Sequence, residues 1–161
     1  MTAAEKHAWG SLAALSAIYY FFQMRMLKGS IFGEWGLADL SAKDIFWVYI
    51  VVIILSIVAE SVIAAFIADK KTGDIEKDER DHFVDAKAAG GEHLFLIVAI
   101  NIFLFHIIAD AAFDNHIFPT ADLTDLRAIV FILFTLLFVG EAIKRVLTIY
   151  YYRAGGAGAA G

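Results

Sequence analysis

An all-α membrane bundle of four transmembrane helices, arranged as two helical hairpins, is the fold this sequence predicts, and three observations carry it. The 161-residue chain is 60% hydrophobic and 19% charged, with a mean hydropathy of +0.69, more apolar than a soluble domain of this length could hide. Four apolar stretches, at about 8–27, 45–68, 92–112 and 128–150, each reach the roughly 20 residues a helix needs to cross about 30 Å of hydrocarbon. Lone strands cannot satisfy their backbone groups in lipid, and the stretches lack the alternation of an outer-membrane barrel, which leaves helices.

The first stretch, from Ala8 to Leu27, has no short apolar region followed by a small-residue cleavage site, so it is expected to be a retained span. The loop 28–44 that follows holds Gly29, Gly33, Trp35 and Gly36 and is too short for a catalytic domain. The second helix, 45–68, runs into the charged segment from Asp69 to His82, where Gly73 is expected to break it. The third helix is expected over 78–112, starting near Asp78 ahead of the membrane and entering it around Gly90-Gly91. A second short loop, 113–127, leads to the fourth helix at 128–150. Residues 1–153 should form one domain, with the Gly/Ala segment 154–161 a flexible tail.

Lysine and arginine set the orientation. With the N-terminus inside, the inner side holds Lys6, Lys70, Lys71, Lys77, Arg80, Lys87, Lys144, Arg145 and Arg153, against Arg25, Lys28, Lys43 and Arg127 outside. Nine against four favours both termini and the middle loop in the cytoplasm, with Lys144 and Arg145 snorkelling to the surface. Tyr150, Tyr151 and Tyr152 would then mark the inner interface, and Tyr19, Tyr20, Phe21, Phe22 and Trp47 would lie toward the outer one.

Glu60 and Glu141 are the sharpest chemical feature, because an ionisable residue within hydrocarbon is expensive and points to a function or a specific partner. Shifting the chain by 81 residues superposes Glu60 on Glu141, Val58 on Val139, Asp44 on Asp125, Lys6 on Lys87 and Gly10 on Gly91. Two hairpins of the same orientation would form a parallel repeat about an axis along the membrane normal. Glu141 has Lys144 and Arg145 one turn on, in the favourable order for a helical ion pair, whereas Glu60 must find its partner elsewhere. Two close carboxyls of this kind could share a proton and couple it to a cation. The plainer expectation is that they bond across helices to Ser56, Ser61, Thr135, Asn101 or Arg145 and fix the packing.

The third helix carries Glu92, Asn101, His106 and Asp110, of which Glu92, His106 and Asp110 share one face and should look into the bundle. His106 and Asp110 alone would leave a metal site incomplete, so no metal is expected. Haem is disfavoured too, since none of His7, His82, His93, His106 and His116 lies in the second or fourth helix. There is no nucleophile elbow, phosphate loop or zinc-peptidase motif. Cysteine is absent and the net charge is -5, so neither thiolate chemistry nor a nucleic-acid footprint is present. The chain is expected to be neither an enzyme nor a cofactor carrier.

The run Lys77, Asp78, Glu79, Arg80, Asp81, leading through Asp85-Ala86-Lys87 into the third helix, resembles the Asp-Glu-Arg-Asp entry of a prokaryotic family of predicted membrane proteins, domain of unknown function 2178. The ending from Glu141-Ala142-Ile143-Lys144 to Tyr150-Tyr151-Tyr152-Arg153 is similar to that family's last helix. The resemblance spans Asp78 to Gly155, and the histidines of the third helix and the glycine-rich tail depart from it. It implies a small four-helix protein of the prokaryotic cytoplasmic (inner) membrane and supplies no catalytic residues; the neighbourhood of transcriptional regulators hints at sensing. The expectation is an accessory or partner-binding subunit, docking through Lys77 to Asp81, in a homo-oligomer or larger membrane complex. The alternative is a small proton-coupled cation carrier or channel using Glu60 and Glu141.

Overall fold

The computed structural model describes residues 3–28, 36–67, 79–113 and 125–157, with the side chains of 110–113 and 155–157 left aside. They form α1 (Ala3–Met26), β1 (Leu27–Lys28), β2 (Gly36–Leu37), α2 (Ala42–Ile67), α3 (Glu79–Phe113) and α4 (Leu126–Ala157). The chain is all-α, with one short antiparallel bridge pairing Leu27 with Leu37 and Lys28 with Gly36. The expected break at Gly73 lies outside the described residues. α4 continues through the first residues of the Gly/Ala segment to Ala157.

Local chemistry starts two of the helices. Before α2, Ser41 and Asp44 form a capping box: Asp44 N–H donates to Ser41 Oγ at 3.3 Å and Ser41 N–H to Asp44 Oδ2 at 3.0 Å. At α4 the cap is Asp125, whose Oδ1 accepts from Arg127 N–H at 2.9 Å. Asp44 and Asp125 coincide in the 81-residue shift yet occupy different cap positions, so that match does not extend to the hydrogen bonds.

Three helices, α2, α3 and α4, are long and apolar enough to cross a membrane, which by length and composition makes this a multi-pass membrane protein. The fourth expected span, α1, is not among them: it has 24 residues, length enough, but Gly10, Ser11, Ser16, Tyr19, Tyr20, Gln23 and Arg25 dilute its apolar character. Packing puts this helix in the middle. α1 contacts both α2 and α4, and α4 contacts both α1 and α3. The principal order across the bundle is therefore α2, α1, α4, α3. Glu5 meets Arg153 while Phe22 meets Phe131, so α1 and α4 are antiparallel; Gly10 against Ile63 and Gly91 against Leu147 make both hairpins antiparallel as well. α2 and α4 accordingly run parallel.

Ile18, Phe22, Met26, Val52 and Phe138 form the core, between α1, α2 and α4. Phe22 sits at its centre, with ring centroids 5.1 Å from Phe134, 5.8 Å from Phe131 and 6.1 Å from Phe138, each within the range where aromatic pairs attract. α3 joins through small residues. A Cβ on Gly91 would collide with Leu147, and one on Gly140 would lie 3.0 Å from Leu96, so both glycines let helices approach where lipid supplies no hydrophobic drive to association.

Candidate ionic site within the bundle

The end of the bundle at which α1 begins gathers charge from all four helices. Glu141 and Arg145 stand one turn apart on α4, and Arg145 Nη2 lies 2.6 Å from Glu141 Oε1. The same nitrogen lies 3.3 Å from Glu60 Oε1 on α2. His7 of α1 reaches Glu60 from the other side, with Nε2 3.4 Å from Oε2, and its Nδ1 is 3.5 Å from Ser11 Oγ. Lys144 turns to α3 instead, 3.4 Å from Glu92. A lysine and an arginine that the sequence would send to the surface thus point inward across two interfaces. Arg145 Nε is buried with no hydrogen-bond partner among the described residues.

Two cavities flank the cluster. One, of about 520 Å³, opens between α1, α3 and α4 and is lined by His7, Asp85, Lys144, Arg145 and Thr148 among alanines. The other, about 380 Å³, presents Glu92, Glu141 and Ser56 to an apolar groove that includes Val52, Phe134 and Phe138. Carboxylates, an imidazole and cations in contact can hold helices together or pass protons. No group of three or more His, Asp or Glu among the described residues could hold a metal ion.

Of the polar partners expected for the glutamates, Arg145 is the one the fold supplies. Ser56 and Ser61 donate to their own helix at Val52 and Ile57, Thr135 donates to Phe131 and accepts from Tyr19, and Asn101 donates to Ile97. Glu92 and His106 are half-buried, and His106 lies edge-on to Phe105. The Asp110 side chain is outside the described residues, as are Lys77 and Asp78. Glu79 is exposed, whereas Asp81 is buried and accepts the Tyr152 hydroxyl; Arg80 donates to Tyr152 O at 3.1 Å and lies over its ring. Sequence spacing alone does not pair His7 with Glu60; the signal for it is Ser11 one turn on, which marks a polar edge on an otherwise alanine-rich helix.

The opposite end is fastened by Arg127. It bonds Asp125 through Nη2 at 2.6 Å and Asp39 through Nη1 at 3.1 Å, tying the loop after β2 to the start of α4. The side-chain and backbone hydrogen bonds from Arg127 hold the Asp125 carboxyl below its ordinary value of 3.8.

Set beside known proteins, the chain matches no family model, no curated protein and no solved structure.

Proposed function

We propose that this is a non-enzymatic membrane protein that acts by association, as an accessory or partner-binding subunit of a membrane assembly. The observation that supports it is the pairing of Glu60 and Glu141 with Arg145. Intramembrane carboxylates already matched by a guanidinium serve to fasten helices. The faces left for contact are then the outer surfaces. Phe66 of α2 is 86% exposed, and only Ile45 and Val52 of that helix are buried. Glu79 and Arg80 at the start of α3, with Lys77 and Asp78 just before them, would offer a charged contact on the cytoplasmic side.

On this reading α1 crosses beside α2 and α4, which shelter its polar residues, and the two hairpins form a parallel repeat. Both termini face the cytoplasm of a prokaryote, as the charge bias and the family resemblance imply. The test is gentle extraction from the native membrane followed by mass spectrometry. A stoichiometric partner, lost on Glu79→Lys and Arg80→Glu substitution, supports the reading; a monodisperse monomer with nothing attached overturns it.

A second reading, proton-coupled transport of a small cation, is favoured by the two cavities on either side of the ion cluster. Proton-coupled uptake into vesicles would then vanish in Glu60→Gln while the fold persists. Uptake retained in that variant rejects transport through this pair.

A further inference from the structure

α3 has two unlike faces. Toward α4 it presents the buried Val84, Ala88 and Phe103, the close approaches of Gly91 and Leu96, and Glu92 paired with Lys144. Asn101 lies nine residues beyond Glu92, which at about 100° per residue places it roughly 180° away, on the side facing out of the bundle. It is exposed. Around it runs a stripe of Leu94 (65% exposed), Ile97 (47%), Leu104 (49%) and Ile108 (65%). Leu94, Asn101 and Ile108 repeat every seven residues, and Ile97 and Leu104 repeat between them, the spacing of a two-helix seam with asparagine at an a position.

The apolar part of this stripe carries no information about a partner, since lipid tails cover leucine as well as another helix does. The amide does. Asn101 Nδ2 donates to Ile97 O at 2.7 Å, and its carbonyl oxygen and second N–H have no partner among the described residues. With the membrane entered near Gly91, ten residues at about 1.5 Å place Asn101 about 15 Å deep, near the middle of a hydrocarbon layer of about 30 Å. A donor and an acceptor left unmatched there are costly.

We infer that this face of α3 binds a second copy of the chain, in a parallel pair in which the two Asn101 amides hydrogen-bond to each other. The amide is self-complementary, having both donor and acceptor. Copies inserted with the same topology bring the same residue to the same depth, so a two-fold axis along the membrane normal makes the match automatic. A different protein would need a polar side chain placed independently at that depth. This pairing adds to the association reading and fails separately from it.

The chain has no cysteine, so single-cysteine variants in native membranes test the pairing directly. Leu94→Cys and Ile108→Cys should give disulfide-linked homodimers on mild oxidation, whereas Ile102→Cys, exposed but roughly 100° round the helix, should not. Asn101→Val should keep its helicity and thermal transition while the dimer dissociation constant in micelles rises about tenfold. Equal cross-linking at Ile102, none at Leu94 and Ile108, or dimerisation unchanged in Asn101→Val overturns the inference. Cross-linking of Leu94→Cys to a different protein alone also overturns it, while supporting the accessory-subunit reading; homodimers with no other protein attached do the reverse.

Discussion

Glu60 and Glu141, 81 residues apart in sequence, are held by the same nitrogen of Arg145, at 3.3 and 2.6 Å. Remove that guanidinium and both carboxylates lose their shared cation, leaving His7 beside Glu60. Arg145→Met should therefore destabilise the bundle by about 3 kcal/mol, the low end for breaking a buried pair because the Glu60 side chain is 45% exposed. The change is read as a lower thermal transition in detergent. Adding Glu60→Gln should recover part of the loss, and an unchanged transition in Arg145→Met would show that the arginine contributes nothing to stability.

Adjacent glycines on α3 should answer oppositely to one extra methyl group. A Cβ on Gly90 meets nothing within 4 Å, so Gly90→Ala should stabilise the helix by about 0.5–1 kcal/mol. At Gly91 the methyl runs into Leu147, so Gly91→Ala should cost about 1–3 kcal/mol. Thermal transitions of the two variants side by side decide it, and Leu147→Ala should relieve the second.

Tyr152 closes the start of α3 onto α4 by donating its hydroxyl to buried Asp81. Tyr152→Phe takes this donor from a buried acceptor and should cost about 1–3 kcal/mol. Amide exchange should quicken at Arg80 to Val84 before it changes elsewhere. Uniform quickening along α3 would mean that this bond does not hold that end.

The Asp125 carboxyl, held down by Arg127, sets a pH window. Its folded value lies below the unfolded one, so the stabilisation is present above about pH 4 and disappears as pH falls through the folded value. Carbon-13 titration of the carboxyl should give a midpoint below 3.8 that returns toward it in Arg127→Gln. A midpoint unmoved by that substitution would assign the shift to another cause.

Much of this architecture is legible in the sequence because apolar run lengths and charge clusters are properties of the chain itself. α3 is described from Glu79 and α2 as far as Ile67, while the expected bounds at Asp78 and 68 lie outside the described residues. The partners of the polar groups are harder to read, since helices apolar all round give no periodic signal of which face packs. Lys144 illustrates it: at i+3 from Glu141 it reads as half of a local pair, yet it reaches Glu92 on another helix because Arg145 already occupies Glu141. Glu60 had no partner within its own helix, and only the tertiary arrangement supplies Arg145 and His7. α1 reads as a span from its length but falls short in composition, and its buried Ser11 and Glu5 become intelligible only with neighbours on two sides.

That position of α1 bears on how the protein is made. α2 is long and apolar enough to partition into lipid, and of its residues only Ile45 and Val52 are buried by the rest of the chain. α1 emerges from the ribosome ahead of it but is too polar to settle in lipid alone. If it crosses, it must wait near the translocation machinery until α2 arrives to share the lipid boundary, and it reaches its final depth only when α4 covers its other side. α1, made ahead of α2, would be secured after it, and a chain stalled before α4 would be prone to clearance by membrane proteases.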